Sequence, residues 1–291
     1  MVKLFFIIAL LFVHNAFAEE ENNETTLSSI EIVVEEDPLT QKIKSFLTPQ
    51  EYEAKKDFIN VIFDPKSAFY INERVDALKV VETLKENGLL NLFFKKPQEF
   101  QLNFKTNGAP LFLVKIMGDA LRNIGYFRYV TTASVLDASE FTWSITIRSE
   151  YATDPLILQK ELQKSGCSIV DIEKNKANEW SYVVDINGGY LNVKVLEDAQ
   201  EVKLRRSLYA HWLDISKIRT LRVKSSRRNN WYPYIAYYDA SLHLLKLTKE
   251  NRIFRNITLK MPKNAKYIRI SDLYTLKNVK DELTLMPKGS R

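Results

Sequence analysis

The sequence predicts an α+β fold in which tandem helix-strand-strand repeats are followed by an all-β, jelly-roll-like sandwich. One observation is an apolar pattern with helical spacing that occurs three times and ends at a glycine each time. Successive glycines are 37 and 41 residues apart. Another is a C-terminal third that contains short strand-like runs and turns but no amphipathic helix. A third is the uneven distribution of charge along the chain.

The first 18 residues have the three parts of a secretory signal peptide. Lys3 precedes an apolar run from Leu4 to Val13, and Ala16-Phe17-Ala18 forms a small-x-small cleavage site. We predict cleavage after Ala18 and a periplasmic location for the mature chain. An uncleaved membrane anchor is the alternative, but the run is shorter than the roughly 20 residues that span a bilayer. We expect no transmembrane segment after cleavage.

Residues 19–47 are predicted to form an acidic, flexible tail. Between Glu19 and Asp37 the chain has 8 acidic residues and no basic residue. Within this stretch, Glu21-Asn22-Asn23-Glu24-Thr25 resembles the acceptor sequence of bacterial oligosaccharyltransferases, which implies glycosylation at Asn23. A chance match in an acidic stretch is the alternative.

Residues 48–72 are predicted to form an N-terminal helical segment. Thr48-Pro49-Gln50-Glu51 combines a hydroxyl cap, a proline at the first helical position and a glutamate three residues after the cap. A helix should therefore run from Pro49 towards Asn60. Asp64-Pro65 should end this segment.

Residues 73–197 are predicted to form three tandem α-β-β repeats. Gly88, Gly125 and Gly166 each follow a helical pattern and precede runs with alternating apolar residues. We expect each repeat to pack one helix on a small antiparallel sheet. A single ferredoxin-like domain with additional elements is the alternative. In element order, the repeats resemble the small α+β modules of secretins and outer-membrane-assembly proteins.

Residues 198–291 are predicted to form a basic β-sandwich. From Gln200 to Arg291 there are 21 Lys and Arg against 7 Asp and Glu, whereas the whole chain has a formal net charge of +6. The predicted strands are 218–223, 232–238, 242–247, 257–261, 267–271 and 283–286.

A resemblance supports the sandwich. The runs 234–239, 257–262 and 267–271 resemble the closing half of galactose-binding-like, or carbohydrate-binding-module, jelly rolls: an aromatic strand ends in Asp, and an apolar-Pro strand end precedes a Tyr-x-Arg strand. The resemblance implies a sandwich. It assigns no binding residue, because sugar contacts in that family lie on variable loops.

A basic and aromatic stretch in the sandwich is the candidate ligand-binding site. Its members are Arg222, Lys224, Arg227, Arg228, Trp231 and Tyr232. Cations neutralise an anionic surface, and planar rings stack on the apolar faces of sugars. Because side chains alternate along a strand, about half of the neighbouring rings should belong to the core.

The sequence carries no pattern typical of catalysis or metal binding. Cys167 has no partner for a disulfide and is expected to be a buried structural thiol. His211 and His243 lack metal-ligand spacing. Nothing in the spacing of Asp214, Asp239 and Asp272 distinguishes a catalytic pair from turn residues, and we expect them to be turn residues. We therefore expect no enzymatic activity, no metal and no cofactor.

These observations favour a non-catalytic periplasmic scaffold or accessory protein of a bacterial envelope assembly. The chain combines a predicted signal peptide, predicted repeats and the lack of a catalytic pattern. In this combination it is similar to periplasmic accessory proteins of bacterial flagellar motors. The expected partners are other envelope proteins and an anionic envelope glycan, not nucleic acid. The alternative is a carbohydrate-binding-module protein that recognises peptidoglycan or lipopolysaccharide sugars.

Overall fold

The computed structural model describes residues 36–290, which contain both helices and strands and confirm the α+β class. The predicted signal peptide, its cleavage site and Asn23 lie outside the described residues. Residues 37–191 form a lobe of helices and strands, called the mixed lobe, and residues 196–290 form a sandwich of strands.

The α-helices of residues 36–290 lie in the mixed lobe. In the described part of the chain they are α1 (Pro38–Phe46), α2 (Pro49–Ala54), α3 (Lys56–Ile62), α4 (Ala77–Glu86), α5 (Pro110–Asn123) and α6 (Pro155–Gln163). The strands of this lobe are β1 (Tyr70–Ile71), β2 (Arg74–Val75), β3 (Phe93–Thr106), β4 (Val130–Asp137), β5 (Glu140–Tyr151), β6 (Ser168–Lys176) and β7 (Glu179–Asp185).

Helix α1 corrects the prediction of a flexible tail over residues 19–47. Leu39, Ile43 and Phe46 lie on one face of α1 at helical spacing and are buried. Lys42 fixes the helix to β6, because its Nζ lies 2.7 Å from the Asp171 carboxylate. The prediction was wrong from residue 38 onward. It was based on the acidic composition of the preceding stretch and did not take this short apolar pattern into account.

Of the helical segment predicted over residues 48–72, α2 and α3 form the part that ends at Ile62, whereas Tyr70–Ile71 is strand β1. The Glu51 carboxylate accepts the Thr48 N–H at 2.9 Å, and the Thr48 hydroxyl accepts the Glu51 N–H at 3.2 Å, so the predicted capping box is confirmed. The helix predicted to be continuous is interrupted at Lys55, whose φ and ψ are −122° and 15°. Nothing in the structure explains this interruption.

The strands predicted as three small sheets belong to one sheet instead. Within residues 36–290 this sheet has five strands in the order β4-β5-β3-β7-β6. Strands β3 and β7 are parallel, and the other neighbouring pairs are antiparallel. The ferredoxin-like alternative is therefore also wrong, since that fold has a four-stranded antiparallel sheet.

The order helix-strand-strand occurs twice, as α5-β4-β5 and as α6-β6-β7. After α4 the chain forms the single long strand β3 in place of two strands. The pairing of β3 with β5 shifts register between Phe93 and Gln98, so β3 continues past Pro97 through an irregularity. Local sequence does not distinguish one irregular strand from two regular ones.

The three helix ends repeat as predicted. Gly88, Gly125 and Gly166 have φ values of +68°, +104° and +67°, which lie in the left-handed region. The residue after each glycine donates its N–H to the carbonyl of a leucine in the last helical turn. These bonds join Leu89 to Leu84 at 2.8 Å, Tyr126 to Leu121 at 2.8 Å, and Cys167 to Leu162 at 3.1 Å.

The sandwich consists of short antiparallel strands. They are β8 (Val202–Leu204), β9 (His211–Asp214), β10 (Ile218–Ser225), β11 (Pro233–Tyr238), β12 (Leu244–Lys249), β13 (Asn256–Lys260), β14 (Tyr267–Asp272) and β15 (Leu283–Ser290). The six predicted strands are confirmed. Strands β8 and β9 were not predicted, because runs of three and four residues carry too little alternation.

The order of the strands is that of a jelly roll. In the described residues one sheet has the order β8-β15-β10-β13, called the outer sheet, and the other has the order β9-β14-β11-β12, called the inner sheet. Numbered from one to eight along the chain, these are 1-8-3-6 and 2-7-4-5, the jelly-roll arrangement of two four-stranded sheets. Side chains from both sheets fill the space between them, among them Leu221, Val223, Ile235 and Ile270.

The inner sheet joins the sandwich to the mixed lobe. Its second face contributes Ala236, Tyr238 and Tyr267 to the same buried apolar cluster as the helices of the mixed lobe. Leu196 already belongs to the core of the sandwich, so the sandwich begins slightly before the predicted boundary at residue 198. One face of the outer sheet packs against the inner sheet. Its other face is therefore turned away from the apolar cluster that the sandwich shares with the mixed lobe.

Candidate functional site

Strand β10 places two of the predicted site residues on the outward face of the outer sheet. Leu221, Val223 and Ser225 are buried, whereas Arg222 and Lys224 between them are exposed. Successive side chains of a strand point to opposite faces, so Arg222 and Lys224 project together from positions about 7 Å apart. Arg222 and Lys224 therefore lie on one surface.

The neighbouring strands extend this surface to a grid, called the basic face. On the outward face, Thr220, Arg222 and Lys224 of β10 each have one partner on β13 and one on β15. The rows are Lys260-Thr220-Lys288, Thr258-Arg222-Met286 and Asn256-Lys224-Thr284, and Lys203 of β8 continues the last row beside Thr284.

The cations of the basic face alternate with neutral side chains. Each direct cross-strand partner of a cation is Thr, Asn or Met, so no two cations of the grid lie directly opposite each other. Diagonal neighbours such as Arg222 and Lys260 are separated by about 7–8 Å. This spacing limits mutual repulsion and still concentrates positive charge on one flat surface.

Little acidic charge offsets the basic face. Glu282, at the start of β15, lies 3.2 Å from Lys203. Among residues 36–290, Arg222, Lys224, Lys260 and Lys288 form no ion pair. Four cations therefore remain free to contact an external anion.

Arg227 and Arg228 follow β10 in an exposed loop that is anchored by Asn229. The buried Asn229 amide donates to the Ser225 hydroxyl at 3.2 Å and to the Glu282 carbonyl at 2.9 Å. Its side-chain oxygen accepts the backbone N–H of Asp281 at 2.8 Å. The loop backbone is fixed at the end of the basic face, and both guanidinium groups are exposed.

Trp231 is not a binding residue, and the prediction that it is one was wrong. Its side chain is fully buried in the core of the sandwich, and its indole N–H donates to the Ser271 carbonyl at 2.9 Å. Trp231 has the same parity in the chain as Ile235 and Tyr237, and all three side chains are buried in that core. The sequence indicated that some of the rings are core but could not indicate which ones.

Tyr232 is half-buried and contacts a ring that the sequence did not single out. Its ring lies edge-on to that of Tyr274, with centroids 5.0 Å apart and planes at 86°. Tyr274 is 61% exposed. Tyr232 immediately precedes β11 of the inner sheet, so this aromatic pair lies outside the basic face.

Three cations of the basic face, Lys203, Lys260 and Lys288, were missed. In the run 257–261 the apolar residues alternate with Thr258 and Lys260, so an outward orientation of Lys260 was available as a signal. The sequence does not show that β10 pairs with β13 and β15, which are more than 30 residues away along the chain.

The carboxylates of Asp214, Asp239 and Asp272 accept hydrogen bonds from backbone N–H groups in turns. Asp272 accepts N–H groups of Tyr232, Tyr274 and Thr275 at 2.9 Å each. Asp239 accepts the backbone N–H of His243 at 2.8 Å and lies 2.9 Å from the His243 ring. Asp214 accepts the Ser216 N–H at 2.7 Å.

The remaining reactive side chains also have structural surroundings. Burial raises the pKa of the Cys167 thiol to about 11, with a smaller contribution from the charge of Asp185. Burial lowers the pKa of the His211 imidazole, although a hydrogen bond with the backbone of Arg205 acts in the opposite direction. In the described residues, no group of three or more His, Cys, Asp and Glu side chains is arranged to hold a metal ion.

None of the helices in residues 36–290 combines the length and apolar character that a membrane crossing requires. No protein-family model, curated protein or solved structure matches this chain.

Proposed function

We propose that the protein is a non-catalytic scaffold or accessory subunit of a bacterial envelope assembly that binds an anionic envelope component through the basic face of its jelly roll. The grid of cations on the outer sheet, four of which form no ion pair within residues 36–290, is the observation that carries this proposal. A flat surface with cations at regular intervals suits a repeating anionic ligand, because several charges can be contacted at once.

The junction between the lobes supports a scaffold role. Tyr238 and Tyr267 of the inner sheet are buried in the core of the mixed lobe, so the orientation of the sandwich is fixed by packing. A ligand on the outer sheet is thereby held at a set distance from the surfaces of the mixed lobe. Those surfaces would contact the protein partners of the assembly.

A binding experiment with two glycans tests the proposal. The mature chain, residues 19–291, is titrated with lipopolysaccharide core oligosaccharide, which is anionic, and with dextran, which is neutral. We expect binding to the anionic glycan and its loss in Arg222→Glu/Lys224→Glu. The control is Lys95→Glu/Lys96→Glu, which makes the same change in net charge at exposed positions of β3. Equal loss in both variants would contradict a specific role for the basic face.

A carbohydrate-binding module for neutral sugars is the second candidate, and the exposed ring of Tyr274 beside Tyr232 favours it. Stacking on a ring involves little Coulomb energy, so such binding would tolerate salt. If dextran binds, and Tyr274→Ala abolishes that binding while the charge-reversal variant retains it, the second candidate replaces the first.

The periplasmic location depends on the N-terminal residues and is tested separately. Mass spectrometry of the protein from a cell envelope fraction should give a mature N-terminus at Glu19. In a host with the bacterial transferase, Asn23→Gln should remove the mass of one glycan. A retained Met1 would contradict export, and an unchanged glycan mass would contradict modification at Asn23.

A further inference from the structure

Strand β4 is an edge of the five-stranded sheet with few of the features that normally prevent edge pairing. It contains Val130-Thr131-Thr132-Ala133-Ser134-Val135-Leu136-Asp137, without Lys, Arg or Pro. Val130, Val135 and Leu136 are 67%, 53% and 66% exposed. An exposed apolar edge of this length presents unpaired backbone N–H and C=O groups to another strand.

Two other edge strands contrast with β4. Strand β6, at the opposite edge of the same sheet, is covered by α1, since Lys42 donates to the Ile172 carbonyl at 3.3 Å and Lys174 donates to the Phe46 carbonyl at 2.9 Å. Edge strand β12 of the sandwich carries exposed leucines but also Lys246 and Lys249. Lysines on an edge oppose strand addition.

A bulge in β4 gives the strand an unusual symmetry. The pairing of β4 with β5 shifts register between Thr131 and Ala133, so Thr132 is an extra residue. Val130 lies opposite Thr146 and Val135 lies opposite Thr142, and those two threonines share one face of β5. The bulge therefore brings Val130 and Val135 to the same face, although their positions differ by five, an odd number.

We infer that β4 pairs antiparallel with β4 of a second copy of this chain and joins the two sheets into one. The two-fold axis would pass between Thr132 and Ala133. In this register Val130 faces Val135 of the other copy on the face described above. Arg128 then lies opposite Asp137. Asp137 is on that face because it pairs with Glu140 of β5, and Arg128 lines the same cavity as Thr146.

The opposite charges of Arg128 and Asp137 are the reason that we assign this surface to a second copy of the chain. Arg128 precedes β4, Asp137 ends it, and both are exposed. In the two-fold arrangement the complementary pair forms twice, once on each side of the axis. A bulge usually discourages pairing, but here the bulges of the two copies meet at the axis, where they align the faces of both strands.

Sedimentation equilibrium of the mature chain tests this inference with a charge exchange. We expect a dimer for the unaltered chain. Arg128→Asp or Asp137→Arg alone should raise the dimer dissociation constant by about tenfold or more, because each change acts at two positions and places like charges opposite each other. Arg128→Asp combined with Asp137→Arg should restore dimerisation. Arg74→Asp, at an exposed position of β2, is the control and should leave it unchanged.

Cross-linking tests the register itself. Val130→Cys combined with Val135→Cys should give covalent dimers under oxidising conditions, whereas Val61→Cys, at a position 72% exposed, should not. Cys167 is buried and should not contribute. A mature chain that is monomeric at its highest soluble concentration would overturn the inference. So would a dimer that the charge exchange does not restore.

Discussion

The backbone N–H of Leu191 donates a hydrogen bond to the phenol oxygen of Tyr267 at 3.0 Å, across the junction between the mixed lobe and the sandwich. Both residues are buried. This bond lies within an apolar contact that includes Ala236 and Tyr238 of the inner sheet. A sandwich cut out of the chain near residue 200 would expose that contact, so binding is best measured on the whole mature chain.

Removal of this hydrogen bond should destabilise the protein without changing the basic face. Tyr267→Phe leaves the Leu191 N–H buried and unsatisfied, which costs about 1–3 kcal/mol. Urea denaturation measures the change in the free energy of unfolding. Tyr232→Phe, at a half-buried ring, is the control. An unchanged stability of Tyr267→Phe would show that the bond does not contribute to the junction.

Trp231 should prove essential for folding stability and not for direct ligand contact. Trp231→Ala removes a fully buried ring and should cost about 3–5 kcal/mol. Tyr274→Ala, at a largely exposed ring, should cost about 1 kcal/mol or less. Denaturant unfolding monitored by circular dichroism compares the two. Comparable losses in both variants would contradict the burial of Trp231.

The glycines at the helix ends should differ in their response to alanine. A Cβ at Gly88 or Gly125 would meet no atom within 4 Å, so Gly88→Ala and Gly125→Ala should each cost about 1 kcal/mol through backbone strain alone. A Cβ at Gly166 would lie 3.2 Å from the Tyr190 ring, so Gly166→Ala should cost more. Thermal unfolding of the three variants gives the ranking. A smaller loss for Gly166→Ala than for the other two would contradict this reasoning.

Asp37 should make stability depend on pH in the acid range. Partial burial would raise the pKa of its carboxyl, but hydrogen bonds from Lys66, Tyr70 and Thr40 together lower it to about 2 from the usual 3.8. A carboxyl with a lowered pKa stabilises the folded state above its usual pKa and loses this contribution as pH falls through its folded value.

The change Asp37→Asn tests this pH dependence. At neutral pH it should lower the free energy of unfolding by up to about 1 kcal/mol, the upper range for an exposed ion pair. The difference from the unaltered chain should shrink as the pH falls from about 4 to about 2. Thermal unfolding at a series of pH values measures it. A difference that stays constant over that range would contradict the role of the charged carboxylate.

Local features of the fold could be predicted from the sequence because short-range physics determines them. The capping box at Thr48, the left-handed glycines after the helices and the alternation in β10 each depend on a few consecutive residues. The joining of all helix-strand units into one sheet could not be predicted. It depends on the parallel pairing of Leu102 with Trp180, which are far apart in the sequence.

The same distinction applies to the candidate site. Arg222 and Lys224 were placed correctly on one surface because alternation within one strand decides it. The addition of Lys260 and Lys288 to that surface depends on strand order, which sequence alone leaves open. Trp231 was placed incorrectly because alternation separates two faces without showing which one is inward, and its burial is decided by packing between the two sheets.

The salt dependence of binding tests the central claim most directly. The affinity of the mature chain for lipopolysaccharide core oligosaccharide is measured from low to high salt, for the unaltered chain and for Arg222→Glu/Lys224→Glu. Because the screening length falls from about 10 Å at 0.1 M to about 3 Å at 1 M salt, we expect the affinity of the unaltered chain to fall steeply and that of the variant to be weak throughout. An affinity that is independent of salt, or equal in the two proteins, would contradict a role for the basic face in binding an anionic partner.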